Sequence, residues 1–404
     1  MASDARPARV LTRQTVVLSV GAFIVMLGLS LVVPILPLYA REFGVSRTAA
    51  GALVSSFAVA RLAFDLAGGV LADRFGARRV MLVGAWVLVL SSVGAALAPN
   101  YAVLLVTRVL EGVGSAAFAT SANQLLVITT PGALLGRTIA VYQTGILSGI
   151  SIGPIVGGQA AELGDFTTPF WIYAGLGVLV VLLVGRFVES GEPQGRTLRQ
   201  VFSTARVVVR RPAFVALMVV TFCIFIFRAG ARLTLLPLYA GEELGLDESD
   251  IGVILASAAI VNVLVVNPGG WLVDRIGRRP VLVTGLVLTA AATAATGFLD
   301  TFASLVVLFS ASGVAAALAS IPPPTLAGDL APEGAVGVAV GVYRSAGDVG
   351  LIVGPLVVGA AADADAFTTG FVLVGVLLVV AAVIAAFIPE TREGRPLGEA
   401  PVEP

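Results

Sequence analysis

Long apolar runs recur along the chain at lengths close to 20 residues, and short polar segments separate them. A helix of about 20 apolar residues crosses the roughly 30 Å hydrocarbon core of a bilayer. The pattern therefore predicts twelve membrane-spanning helices. Their predicted bounds are residues 15–40, 48–71, 80–98, 101–128, 138–161, 169–188, 213–240, 250–272, 281–299, 302–327, 335–361 and 367–388.

One polar stretch is much longer than the others and lies between the sixth and seventh predicted spans. We therefore predict an N-terminal six-helix bundle over residues 1–188, a cytoplasmic linker over 189–212, and a C-terminal six-helix bundle with a short cytoplasmic tail over 213–404. The expected fold class is an all-α membrane protein with two six-helix bundles.

The two halves repeat one another. The segment that begins at Gly69 returns 201 residues later at Gly270, and the Gly-Pro pair at Gly153 returns at Gly354 with the same offset. Pro37-Leu38-Tyr39 returns 200 residues later as Pro237-Leu238-Tyr239. Three agreeing registers indicate an internal duplication, so we expect the bundles to be pseudo-symmetric about a central site.

Composition supports the membrane assignment and excludes several function classes. The chain is 57% hydrophobic and 12% charged, against about 25% charged in soluble domains. Its net charge of zero argues against a general attraction to nucleic acid. A single cysteine, Cys223, excludes an intrachain disulfide and a thiol metal cluster, and the absence of lysine excludes a phosphate-binding P-loop. We expect neither an enzyme nor a metal protein.

The arginines indicate the orientation. They collect near both termini, in the linker and in alternate loops, whereas the opposite side has only Arg41 and Arg47 and is otherwise acidic. By the positive-inside rule, both termini face the cytoplasm. We expect a multi-pass protein of the plasma (inner) membrane of a prokaryote, with the apolar run after Arg13 as a first span rather than a cleavable signal.

Three motifs resemble those of the major facilitator superfamily, in particular its twelve-helix drug:proton antiporter-like branch. The loop after the second span matches the family signature except at Ala77, and its copy lies in the second half. Arg108-Val109-Leu110-Glu111-Gly112 resembles a fourth-helix motif that usually has Gln where this chain has Glu111. The gating motif comprises Gly69, Asp73, Arg74, Gly76, Arg78 and Arg79, with Gly270, Asp274, Arg275, Gly277 and Arg278 in the copy, and the antiporter motif comprises Gly149, Gly153, Pro154, Gly157 and Gly158.

The resemblance implies roles for these motifs. Asp73 and its neighbours would form a latch that holds the halves in the outward-open state, although the charges also fix topology. The Gly-Pro motif would bend the fifth span and shape the cavity, although small-residue packing alone is an alternative reading.

Charged residues inside predicted spans are costly unless they are paired or face water, so they are candidate site residues. Arg61 with Asp65, Arg108 with Glu111, and Arg344 with Asp348 are spaced to share a helix face and neutralise one another. Arg228 and Arg232 have no such local partner. Either they draw on acids of other helices, or they create a positive field that would attract an anionic substrate.

No histidine is present, so a proton exchanged near neutral pH has to be carried by a carboxylate. The proton-coupling candidates, in order, are Glu111, Asp348 and Asp65. The charged cavity candidates are Arg228, Arg232, Arg108, Arg344 and Arg61. The neutral cavity candidates are Asn123, Gln124, Tyr142, Gln143, Asn262 and Tyr343.

The sequence and its resemblance together favour a secondary active transporter that exports a small organic or drug-like molecule in exchange for protons by alternating access. One alternative is an organic-anion carrier that uses the cavity arginines; a less favoured one is a non-transporting membrane sensor. We expect no cofactor other than protons as the coupling ion. The expected partners are a small-molecule substrate and the lipid bilayer, not nucleic acid, and the protein is expected to be a monomer.

Overall fold

A computed structural model describes residues 11–130, 132–189, 206–332, 336–364 and 366–391. Within these ranges the chain is helical, with no strand. Most of the predicted linker, residues 190–205, lies outside the described residues, as do both chain ends. The predicted boundary between the halves therefore stays a prediction.

Seven α-helices form the first half of the chain. They are α1 Arg13–Val32, α2 Leu36–Glu42, α3 Arg47–Phe75, α4 Ala77–Ala96, α5 Tyr101–Thr129, α6 Gly132–Leu163 and α7 Thr168–Phe187.

From residue 212 onward, the described residues form further α-helices and two π-helical segments, π1 and π2. They are α8 Pro212–Ile226, π1 Phe227–Leu235, α9 Leu236–Leu238, π2 Tyr239–Glu243, α10 Glu248–Ile276, α11 Arg278–Thr296, α12 Phe302–Ser320, α13 Pro322–Asp329, α14 Val336–Asp363 and α15 Phe367–Ala386.

The structure confirms the predicted fold class. Twelve helical stretches among the described residues are long and apolar enough to cross a membrane, as the apolar pattern predicts. The chain is a multi-pass membrane protein.

Three predicted spans differ from the observed helices. The first was expected to continue to residue 40, but α1 ends at Val32, because Pro34 has no backbone N–H to continue the helix. The tenth is interrupted at Ile321, which keeps helical dihedral angles (φ −70°, ψ −48°) but precedes three consecutive prolines that have no backbone N–H to donate. The seventh contains π1 and π2, which the hydropathy pattern does not distinguish from α-helix.

The chain folds into two compact units. The first unit is made of Met1–Val32 and Ala60–Arg196, and the second of Val33–Val59 and Thr197–Pro404. The sequence repeat does not predict that Val33–Val59 packs with the C-terminal helices.

Within the first unit, α6 packs directly against α1 through a row of glycines. Gly149, Gly153 and Gly157 are four residues apart, so they lie on one face of α6. A methyl group at Gly157 would lie 2.0 Å from the Leu31 carbonyl oxygen, and one at Gly149 would lie 2.5 Å from that of Phe23. The row therefore allows the two helix backbones to approach closely.

Candidate functional site

The most deeply buried charges of the first unit are Arg108 and Glu111 on α5. Asn100 caps the start of this helix, because its side chain accepts a hydrogen bond from the Val103 N–H at 3.0 Å. The three-residue spacing places the two charges on one face. The guanidinium binds both carboxylate oxygens, with Nη2 3.0 Å from Oε1 and Nη1 bonded to Oε2. The side chains are 1% and 0% exposed, so the pair is fully desolvated.

Two hydroxyl groups near this pair lack a hydrogen-bond partner among the described residues. Ser115 lies one turn after Glu111 on the same helix, and its Oγ is buried without a partner. The Tyr173 hydroxyl on α7 is also buried without one, and it lies within electrostatic range of both Glu111 and Arg108. The Tyr173 ring packs on Gly28, where an added methyl group would lie 1.9 Å from the ring. Each of these hydroxyls can therefore form a hydrogen bond with a water molecule near the Glu111 carboxylate.

A second pair in the first unit is more accessible. Arg61 Nε lies 3.7 Å from Asp65 Oδ2, as their four-residue spacing predicts. Their side chains are 30% and 31% exposed. Thr120 on α5 donates its hydroxyl to Asp65 Oδ1 at 2.9 Å, so Asp65 already has two partners.

The second unit holds a small cavity beside Arg232. The residues around it include Arg232, Thr293, Thr296 and Ser312, but its lining is mostly apolar, and its volume is about 10 Å³. Arg232 Nη2 donates to the Leu255 carbonyl oxygen at 3.0 Å. No carboxylate among the described residues lies within ion-pair distance of it.

The remaining candidates occupy varied environments. Arg228 lies over the Phe225 ring at 5.9 Å. Asn262 donates to the Gly313 carbonyl oxygen at 3.3 Å and so joins α10 to α12, whereas Asn123 donates to Ala119 within its own helix. Tyr142 is buried, Arg344 is exposed, and the side chains that are partly buried are Gln124, Gln143, Tyr343 and Asp348. Their proposed roles stay predictions.

Each gating loop contains a tight turn at a glycine. Gly76 and Gly277, which follow α3 and α10, have φ values of 88° and 111°, a backbone region that favours glycine. Arg78 donates to the Gly185 carbonyl oxygen, whereas Arg74 and Arg79 are exposed. Gly69 and the Asp73 side chain lie outside the described residues, so the latch stays a prediction.

In the second copy, carboxylates outside the motif bind its arginine. Arg278 pairs with Asp329 and donates to the Thr391 hydroxyl at 2.9 Å. The Glu390 carboxylate accepts the backbone N–H of Arg278 at 2.9 Å and that of Arg279 at 3.0 Å, so it caps the N-terminus of α11. Asp329 and Glu390 are distant in sequence from the motif, so no local pattern predicts their role. Asp274 of the motif is exposed.

A further ionic cluster lies within the second unit, on its predicted outer side, and we call it the Glu242 network. Glu242 accepts Arg41 Nε at 2.8 Å and Arg47 Nε at 2.7 Å through its two oxygens. Asp363 accepts the backbone N–H groups of Arg47 at 2.6 Å and Thr48 at 3.0 Å, at the start of α3. These charges indicate only the orientation of the chain when read from the sequence, because their pairing depends on tertiary contacts.

The comparisons with known proteins agree with this architecture. The sequence profile of the Major Facilitator Superfamily matches residues 18–241 and 218–404. The chain belongs to the Major Facilitator Superfamily, a family of membrane transporters.

Similarity to individual proteins is more distant. The quinolone resistance protein NorA of Staphylococcus aureus (strain Mu50 / ATCC 700699) is 25% identical over 257 residues, which cover 63% of this chain and 65% of NorA. The match thus spans less than two thirds of that relative. An uncharacterised transporter of this superfamily, MJ1560 of Methanocaldococcus jannaschii, is 23% identical over 363 residues, which cover 87% of this chain and 92% of the relative.

A solved structure has the same fold over nearly the whole chain. It is a bacterial homologue of the human lysosomal transporter Spinster, determined in an inward-facing, unoccupied conformation. The TM-score is 0.79 at 16% sequence identity, with 93% of this chain and 96% of that chain covered.

Proposed function

We propose that the protein exports a small organic molecule in exchange for protons, with Glu111 as the proton-carrying residue. The observation that carries the proposal is a fully buried carboxylate in the fourth span, bonded through both oxygens to Arg108. Such a group is costly in a membrane protein unless it has a partner, and intramembrane carboxylates commonly mark proton relays. The similarity to NorA, a quinolone resistance protein, supports a drug-like substrate.

The chemistry follows from the pairing. When Glu111 is ionised, it neutralises Arg108. When a proton binds, the carboxyl group becomes neutral, its attraction to Arg108 weakens, and the guanidinium is free to bind elsewhere. A proton taken up from outside would thus change the charge of the site and expel substrate, and its release to the cytoplasm would restore the pair.

Two competing carboxylates can be distinguished from Glu111. Asp65 is 31% exposed and interacts with both Arg61 and Thr120. Its charge is therefore partly solvated, and its protonation would disrupt fewer buried interactions than protonation of Glu111. Asp348 is partly buried on α14 in the second unit. Glu111 has the most complete desolvation, and we therefore place the coupling there.

The test is efflux of a fluorescent drug-like substrate from proteoliposomes with and without an imposed pH gradient. We expect the gradient to accelerate efflux and Glu111→Gln to abolish that acceleration, because glutamine keeps the shape of the side chain but cannot exchange a proton. Asp65→Asn is the matched control and should retain gradient-driven efflux. Gradient-independent efflux by the wild-type chain, or undiminished coupling in Glu111→Gln, would contradict the proposal.

The organic-anion carrier is less well supported. The cavity at Arg232 has a volume of about 10 Å³, roughly the space that one water molecule needs. An organic anion is larger than this cavity, so that alternative would need another binding site.

A further inference from the structure

Two arginines of the first unit lie against one aromatic ring. The guanidinium carbon of Arg13 is 4.5 Å from the centroid of the Phe187 ring, and that of Arg186 is 5.5 Å from the same centroid. Arg13 begins α1, whereas Arg186 lies in the last turn of α7. A guanidinium group over an aromatic face is attracted by the ring quadrupole. The ring therefore holds two groups of the same charge close together.

A third arginine reaches the same end of α7. This helix packs against both α1 and α4. Arg78, in the first turn of α4, donates to the carbonyl oxygen of Gly185, the residue before Arg186. The C-terminus of a helix carries about half a negative charge, which the charge of three guanidinium groups exceeds. The helix end thus stays positive overall.

These charges have no carboxylate partner in the part of the chain that the structure describes. The ion pairs found there involve other arginines. Glu189, which follows Phe187 by two residues, is exposed and forms none of these pairs. Arg13 and Arg186 are exposed, so an anion from outside the protein can reach them. A guanidinium group offers such an anion up to five N–H donors.

The surface beside these arginines is apolar. Leu182 precedes Arg186 by four residues, so it lies on the same face of α7, and it is exposed. Val16 follows Arg13 by three residues on α1 and is also exposed. Both helices are long and apolar enough to cross the membrane, so these faces would contact acyl chains. A positive group at the end of a span and an apolar face below it match the two parts of a phospholipid.

We propose that this end of the first unit binds the phosphate headgroup of one anionic phospholipid, held by Arg13 and Arg186 on the Phe187 ring, with Arg78 adding positive potential. Guanidinium groups bind phosphate oxygens in pairs. A zwitterionic headgroup would add a further cation to a site that already holds three. The predicted orientation places the site at the cytoplasmic surface, where basic pockets between spans bind such headgroups. The site is independent of the exported molecule and of proton coupling.

The first experiment measures the thermal unfolding midpoint of the purified, delipidated full-length chain in neutral detergent, with tryptophan fluorescence as the readout. Dioleoyl phosphatidylglycerol is compared with dioleoyl phosphatidylcholine, which has the same acyl chains and no net charge. A ligand that binds only the folded state raises the midpoint in a saturable way. We expect this response with phosphatidylglycerol and not with phosphatidylcholine. Glycerol phosphate, which has no acyl chains, should leave the midpoint unchanged; a response equal to that of the lipid would indicate a site for free phosphate instead.

Variants then locate the site. Arg13→Gln and Arg186→Gln should each weaken the affinity for phosphatidylglycerol about fivefold, the factor expected for one arginine near an anionic membrane surface. Phe187→Leu keeps every charge and should also weaken it, because the two guanidinium groups lose the ring that holds them together. Arg275→Gln is the matched control: Arg275 lies in the last turn of α10, is exposed, and is 5.1 Å from the Trp271 ring, which no second arginine among the described residues shares. It should keep the wild-type affinity.

Four results would overturn the proposal. Equal responses to the two lipids would mean that the headgroup charge is not recognised. A loss in Arg275→Gln as large as that in Arg186→Gln would indicate a general attraction to the basic surface. Wild-type affinity in both Arg13→Gln and Arg186→Gln would place the lipid elsewhere. Wild-type affinity in Phe187→Leu would show that the shared ring does not form the site. The midpoint of each variant in phosphatidylcholine reports whether it folds.

Discussion

Each unit contains an arginine within a membrane-spanning segment, and the two differ in what balances the charge. In the first unit, Arg108 is bonded through two N–H groups to Glu111, three residues along the same helix. In the second unit, Arg232 has one backbone carbonyl as its hydrogen-bond partner, and no carboxylate among the described residues lies within ion-pair distance. One charge is fully buried and is balanced within a single helix, whereas the other is only partly buried. The duplicated fold thus supports two chemically different sites.

The largest expected effect is on the complete pair. Arg108→Gln leaves Glu111 as an uncompensated buried charge, so we expect a loss of about 3–5 kcal/mol in unfolding free energy. Unfolding in mixed micelles would measure it. Arg61→Gln is the control, because its pair with Asp65 is partly exposed and should cost at most about 1 kcal/mol. Equal losses in the two variants would remove the distinction between a desolvated and a solvated pair.

A much smaller effect is expected at the second arginine. Arg232→Gln removes a partly exposed charge that no carboxylate among the described residues balances, so the unfolding free energy should change by at most about 1 kcal/mol, the contribution of its one hydrogen bond to the Leu255 carbonyl oxygen. The same micelle assay would measure it. A loss as large as that of Arg108→Gln would show that a protein group compensates Arg232 after all.

The Glu242 network should make a smaller contribution. Its arginines are 35% and 17% exposed and Glu242 is 22% exposed, so each ion pair is worth about 1 kcal/mol or less. A double-mutant cycle with Arg47→Gln and Glu242→Gln should give a coupling energy of about 0.5–1 kcal/mol, and it should decrease as salt is added. A coupling energy near zero would show that the ion pair between Arg47 and Glu242 adds nothing to stability.

The smallest effect on stability is expected at Tyr173. Its hydroxyl is buried without a partner among the described residues, so Tyr173→Phe should leave the unfolding free energy within about 0.5 kcal/mol of wild type. The same variant tests whether the hydroxyl serves Glu111, because in that case gradient-driven efflux would fall while stability is unchanged. A clear loss of stability would instead reveal a hydrogen bond that holds α7 in place.

The spacing of residues along the sequence predicted the charges that pair within one helix. It could not predict the surroundings of charged residues whose neighbours are distant in sequence. The Arg108–Glu111 and Arg61–Asp65 pairs follow from helix periodicity, because residues three or four apart share a face. The cavity at Arg232 is lined by residues of α11 and α12, about 60 to 80 residues away in sequence, so no local pattern contains it. The same limit applies to Glu390, which caps a helix more than 100 residues earlier in the chain.

The π-helical segments were also hidden from the apolar pattern. A hydropathy pattern gives the length of an apolar stretch. It does not show whether backbone hydrogen bonds join residues five apart, as in a π-helix, or four apart, as in an α-helix. The twelve spans were therefore predicted correctly in number, while the path of the seventh was not.

The segment π2 explains a discrepancy of one residue between the repeats. Tyr39 and Tyr239 are 200 residues apart, whereas the positive-φ glycines that follow them, Gly44 and Gly245, are 201 apart. The second copy thus holds one more residue in this interval. It is accommodated where the Leu244 N–H bonds to the Tyr239 carbonyl oxygen, five residues back, instead of four.

Glu242 lies inside that enlarged turn, and it binds Arg41 and Arg47, which belong to the other copy of the repeat. Immediately after a duplication, the two copies would have the same sequence, so equivalent positions would carry charges of the same sign. A single inserted residue is the smallest change in chain length that shifts one copy out of register with the other. In this protein the shifted turn carries the acid, and the unshifted copy carries the bases.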